Sequence, residues 1–234
     1  MNKQNSRREQ EREARRLRML QAARSVFAER GFRQATLDEI AQRSEFGKGT
    51  IYNYFPEGKN EMLFAILDGV YDDIYAISVE AFAGGQNGSF RQSLKRYIQA
   101  SLDYFLKEED LFVIVMKEAN RLTFGDDPRH ATYFKEQFGR IRGVLEPRIE
   151  VAIQSGELKP FAPHTIAHMI MGNIHGYLRC HCLTKIGLVD SHGCETPSSG
   201  EAARFISEML LDGLAQPSNV ASFELEAQIA DNQV

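Results

Sequence analysis

The residues of this 234-residue chain best equipped for chemistry crowd into the stretch between Thr36 and Lys59. Within Lys48-Gly49-Thr50-Ile51-Tyr52-Asn53-Tyr54-Phe55 stand a Lys ammonium, a Thr hydroxyl, two Tyr hydroxyls and an amide able to pair with adenine. These groups hold phosphates and read base edges. Ile51 and Phe55 are four residues apart and share one helical face, so packing them on Ile40 and Phe27 turns Lys48, Thr50, Tyr52, Asn53 and Tyr54 outward.

A second chemical pattern lies further on, where His164, His168, Met171, His175, Leu178 and Cys182 step by fours and threes along one helix face. His164 and His168 have the spacing to share a metal, but no third ligand accompanies them. His168 and His175 lie about 10.5 Å apart along a helix axis, too far for one ion. Cys180 and Cys182 point roughly 200 degrees apart on a helix. The seam therefore reads as a dimer face or pocket wall, with a metal or thiol sensor, including His192 and Cys194, as the alternative; no resident metal or cofactor is expected. Catalysis finds no footing. The chain has no G-x-S-x-G, P-loop, G-x-G-x-x-G or H-E-x-x-H, and its carboxylates are scattered rather than paired.

The elements that must position these groups are helical. From Arg7 to Arg30, Leu17, Leu20, Ala23 and Phe27 mark an apolar stripe that Gly31 terminates, and the first dozen residues, lacking the stripe, read as a frayed basic arm. Thr36-Leu37-Asp38-Glu39 is a capping box that opens a short helix ending near Ser44. Glu45-Phe46-Gly47 reads as a turn, Lys48 to Phe55 as a second short helix, and Pro56-Glu57-Gly58 as its break. Helix, turn and helix in about twenty residues form a helix-turn-helix pattern. Longer helices are expected from Lys59 or Asn60 to Phe82, Ser89 to Lys107, Glu109 to Thr123, Arg129 to Gln154, Pro163 to Thr184 and Gly200 to Ala215, with no strand-period segment.

The net charge of −4 argues at first against a nucleic-acid partner. Residues 1–60, however, hold 13 Lys and Arg against 8 Asp and Glu, a net of +5, which leaves −9 on the remaining 174. A basic end on an acidic body suits one surface that meets a polyanion. The amino terminus has no apolar signal core, and the longest apolar run, Leu111 to Met116, falls far short of the roughly 20 residues of a membrane helix. With three cysteines in no framework spacing, a cytoplasmic location and no membrane partner are expected.

The run from Leu17 to Leu63, with AERGF, T-x-x-x-I-A and KGTIYNYF as its most specific pieces, resembles the amino-terminal domain of the TetR family of transcriptional regulators. The resemblance implies an all-α fold of about nine helices: residues 1–58 as a three-helix DNA-binding domain with a basic arm, 59–216 as a ligand-binding and dimerisation domain, and 217–234 as an acidic tail. It implies base contacts from Lys48, Gly49 and Asn53, and phosphate contacts from Thr50, Tyr52, Tyr54 and Lys59, with Thr36 and Arg43 as further backbone contacts. Two departures stand out. Where the family usually has Ala-Gly-Val-Ser, this chain has Ser44-Glu45-Phe46-Gly47, which places Glu at a left-handed turn position at a cost of ~1 kcal/mol and Gly at the N-cap. The spacer Pro56-Glu57-Gly58 is also one residue longer.

The family implies a homodimer on a double-stranded operator, since one recognition helix reads too few bases and paired half-sites need a two-fold protein. His168, Phe205, Ile206, Met209, Leu210 and Leu214 are the expected dimer residues. A small apolar or amphipathic effector is expected against Tyr97, Phe105, Phe112, Met116, Phe134, Phe138, Met171 and His175, a wall rich in aromatic and Met side chains. The implied activity is regulation of transcription, by default repression, relieved when the effector binds.

Overall fold

Apolar stripes at steps of three and four leave this chain little alternative to helices that bury one face, and a computed structural model shows that outcome. It describes residues 3–83, 89–185, 187 and 198–212, with side chains from residue 7 onward. Among the described residues there are nine helices and no strand. They are α1 (Lys3–Arg30), α2 (Leu37–Ser44), α3 (Lys48–Tyr54), α4 (Lys59–Phe82), α5 (Phe90–Lys107), α6, α7 (Pro128–Gln154), α8 (Pro163–Lys185) and α9 (Ser199–Asp212). Helix α6 is a continuous run of Glu109–Ile114, a π-helical segment Val115–Ala119, and Asn120–Thr123.

The expected helices are present, most with ends shifted by a residue or so; the expected end of the last, Ala215, lies outside the described residues, and one reading is corrected. The basic arm is not frayed: α1 is helical from Lys3. Its Arg, Gln, Glu and Ala residues are strong helix formers, and Arg7 pairs with Glu11 at 3.1 Å and Arg16 with Glu13 at 3.6 Å along the helix. The missing apolar stripe means only that residues 7–15 bury nothing.

Packing divides the chain into two compact units. The first comprises Met1–Glu80 with Asp103–Leu145, and its core includes Met19, Phe27, Ile40, Ile51, Phe55, Met62, Leu67 and Phe134. The expected domain boundary at residue 58 falls inside this unit, at the turn that opens α4. The second comprises Ala81–Leu102 with Glu146–Val234, and its core includes Leu94, Ile98, Ile149, Ile170, Ile174, Leu178 and Ile206. Here Glu157 accepts hydrogen bonds from the first amides of α5, Phe90 and Arg91, each at 2.9 Å, and a bidentate Arg91–Asp212 pair ties α5 to the end of α9. No described helix is long and apolar enough to cross a membrane. The expected tail, 217–234, lies outside the described residues.

Candidate nucleic-acid interface

Three short-range devices place α3. Gly31 ends α1 in the left-handed region at φ +74°, where its amide donates to the Phe27 carbonyl at 2.9 Å. Thr36 then caps α2 reciprocally: the Glu39 amide donates to the Thr36 hydroxyl oxygen at 3.3 Å, while the Thr36 amide and hydroxyl each donate to the Glu39 carboxylate at 3.0 Å. Those donors hold the Glu39 carboxyl below its ordinary titration range. Depressed folded-state titration means this cap is intact at neutral pH and is lost as pH falls through the carboxylate range.

The turn between α2 and α3 shows the first departure from the family pattern. Glu45 sits at φ +61° and ψ +27°, the left-handed region, and closes α2 through its amide on the Ala41 and Gln42 carbonyls. Gly47 is the N-cap of α3 with no side-chain hydrogen bond, so that helix begins without the cap a Ser would supply. On the far side, Gly58 has φ +64°, and a Cβ there would stand 3.2 Å from Leu37 Cδ1 and 3.6 Å from Tyr52 Cε1. The longer spacer is therefore fitted closely beside the Tyr52 ring.

With α3 so placed, Ile51 and Phe55 are fully buried, as are Ile40 and Phe27. The opposite face is exposed: Lys48, Gly49, Tyr52 and Asn53 lie in solvent, Tyr52 with 49% of its surface free, and Thr50 and Tyr54 are half-buried. Lys48 Nζ rests 2.6 Å from Asp38 Oδ1 and Arg43 forks onto Glu29 at 2.5 and 2.9 Å. Both pairs are solvent-exposed, so they are weak enough to be exchanged for phosphates. Thr36 spends its hydroxyl on the cap of α2.

Lys59 is placed differently from the rest. Its ammonium donates to the carbonyls of Phe32, Arg33 and Ala35 at 3.0, 3.3 and 3.0 Å and lies 4.8 Å from the centre of the Phe32 ring. It ties α4 to the turn after α1 and has few donors to spare. Sequence reasoning also missed what the arginines of α1 do. Arg12 lies over the Tyr54 ring at 5.7 Å, Arg16 over Phe55 at 5.4 Å and Arg18 over Phe46 at 5.2 Å, so this basic helix flanks α3. The charge count located these residues, but nothing in their spacing revealed which helix they face.

This surface has the form of a helix-turn-helix reader. Residues 19–66 match the family described as bacterial regulatory proteins of the tetR family. Those residues form a DNA-binding domain of the TetR family of transcriptional regulators. It is 25% identical over 205 residues to the HTH-type transcriptional repressor KstR2 of Rhodococcus jostii, covering 88% of this chain and 93% of that one. It is 25% identical over 199 residues to the repressor NicS of Pseudomonas putida, covering 84% and 90%. The same fold occurs in FadR from Bacillus subtilis, solved in complex with stearoyl-CoA, with a TM-score of 0.70 at 18% identity over 85% of this chain and 99% of that one. KstR2 of Mycobacterium tuberculosis gives 0.64 at 21% identity over 86% and 95%.

The residues expected to bind an effector are divided between the two units. Phe105 and Phe112 meet edge to face at 5.4 Å in the first unit, where both are buried, as is Phe134, while Phe138 and Met116 are half-buried. Tyr97, Met171 and His175 belong to the second unit; Tyr97 is buried 6.0 Å from the Phe82 ring, Met171 is half-buried and His175 exposed. The dimer candidates also split. His168 is exposed, with Nδ1 2.9 Å from the His164 carbonyl, and Phe205 is 56% exposed, whereas Ile206 is 3% exposed and serves the protomer's own core. Met209 and Leu210 line an open groove of about 710 Å³ with Phe161 and Met169, and Leu214 lies outside the described residues. Among the described residues no group of three or more ligating side chains could hold a metal; His192 and Cys194 lie outside them.

Proposed function

We propose that this TetR-family regulator is a repressor that binds a two-fold operator as a homodimer and is released by a small apolar or amphipathic molecule. The observation that carries the reading is α3 itself, an exposed row of Lys48, Gly49, Tyr52 and Asn53 on a buried spine of Ile51 and Phe55. Lys48, Gly49 and Asn53 face the bases, and Thr50, Tyr52 and Tyr54 hold phosphates with Thr36 and Arg43 behind them. Lys59 acts chiefly by fixing the turn after α1.

Residues 1–58 serve DNA binding, and 59–216 serve sensing and dimerisation in the cytoplasm, without catalysis. Support for repression comes from the relatives KstR2 and NicS, which are named repressors, and for an effector from the FadR structure, which holds stearoyl-CoA. The exposed His168 and Phe205 favour a dimer face along α8 and α9. Repeated selection from random duplexes tests the reading. Enrichment of an inverted repeat is expected; recovery of sequences no different from the starting library would sink it.

A further inference from the structure

The three aspartates of α4 are matched one by one within the first unit. The Tyr133 hydroxyl donates to Asp68 at 2.7 Å, Arg140 donates to Asp72 at 2.8 Å, and the Tyr104 hydroxyl donates to Asp73 at 2.9 Å. Tyr71 stands among them and breaks the pattern. It is 5% exposed, and its hydroxyl has no hydrogen-bond partner. The ring is held edge to face by Phe138 at 5.8 Å, Phe134 at 6.2 Å and Tyr133 at 6.3 Å.

A phenylalanine would fill that aromatic box equally well, without the cost of burying an unpaired hydroxyl. Phe134 forms a closed floor, but Tyr133 and Phe138 are only half-buried, so the box has a rim that faces outward. Burial pushes the Tyr71 phenol well above its ordinary range, so it stays protonated and serves as a donor. The carboxylates of Asp68, Asp72 and Asp73 on the same helix make an anionic head group a poor guest beside it.

We propose that the Tyr71 hydroxyl is the polar anchor of a small-molecule site whose guest is an uncharged, largely apolar molecule carrying a carbonyl-type oxygen. The rings of Tyr133, Phe134 and Phe138 grip its apolar part, and Tyr71 donates one hydrogen bond to the oxygen. The inference rests on the small-molecule part of the proposed function and names the chemistry of that molecule.

The test uses the full chain, Tyr71→Phe, and three probes: acetophenone, its hydrocarbon counterpart ethylbenzene, and benzoate. Wild type should bind acetophenone about fivefold more tightly than ethylbenzene, the worth of one hydrogen bond, and more tightly than benzoate. In Tyr71→Phe the ratio of ketone to hydrocarbon should fall to about one, with a melting temperature in the absence of probe no lower than that of wild type. Equal binding of ketone and hydrocarbon by wild type, absence of binding by either, or a ratio unchanged in Tyr71→Phe would overturn the proposal. So would tighter binding of benzoate, or a loss of stability in Tyr71→Phe, which would show the hydroxyl already partnered within the protein. No DNA enters this measurement, so its failure leaves operator binding to be judged by duplex selection.

Discussion

The recognition helix and the aromatic box beside α4 use the same materials in opposite ways. Around α3, two apolar residues, Ile51 and Phe55, are buried so that polar neighbours can stand in solvent. Around Tyr71, apolar rings enclose a single polar atom that has been taken out of solvent. The first arrangement suits a partner that is large, charged and presented from outside. The second suits one that is small and uncharged and enters the protein. Both lie in one packing unit, so a single core supports the exposed face of α3 and the aromatic cluster around Tyr71.

Mutations that unsettle the shared core should erase the contrast. Phe55→Ala removes a fully buried ring and is expected to cost about 3 to 5 kcal/mol in urea unfolding, abolishing DNA binding with it. Lys59→Met separates a positioning role from a DNA-contact role. Loss of its carbonyl hydrogen bonds should cost about 2 kcal/mol of stability while the salt dependence of DNA binding keeps its slope. A slope reduced by about one at unchanged stability would return Lys59 to the set of phosphate contacts.

The α3 surface alone is probed by Lys48→Ala and Tyr52→Ala. Each should weaken operator binding by about tenfold in gel shifts at fixed salt and leave the melting temperature nearly unchanged, because both side chains are exposed. The smallest effect is expected at the turn. Glu45→Gly relieves the left-handed backbone and should raise stability by about 0.5 to 1 kcal/mol, since the exposed Arg18–Glu45 contact it removes at 3.3 Å contributes little. A loss of stability would show that contact to matter more than the strain.

The two regions also differed in how far the sequence revealed them. The cap at Thr36 and Glu39, the stop at Gly31 and the strained Glu45 are all decided within four or five residues, so local chemistry discloses them. The outward face of α3 follows from Ile51 and Phe55 alone. By contrast, the three carbonyls around Lys59 come from residues 24 to 27 positions earlier, and the rings around Tyr71 come from more than sixty positions later. An aromatic in the sequence announces burial, not its neighbours, and no spacing rule says which buried hydroxyl goes unpaired. The π-helical segment of α6 was equally silent, because Val115–Ala119 reads as ordinary helix. Ile206 shows the reverse error: its position on an apolar stripe is genuine, but the stripe is shared between protomer core and exposed face, and periodicity alone does not divide it.

On the proposed function, α3 reads duplex DNA with the face opposite Ile51 and Phe55. The most direct test is the affinity of wild type, Lys48→Ala and Tyr52→Ala for a duplex enriched from a random library, measured over a range of salt. Wild type should bind an inverted repeat tightly and with steep salt dependence, and each variant about tenfold more weakly. Variants that bind as tightly as wild type, with their fold intact, would contradict that reading of α3.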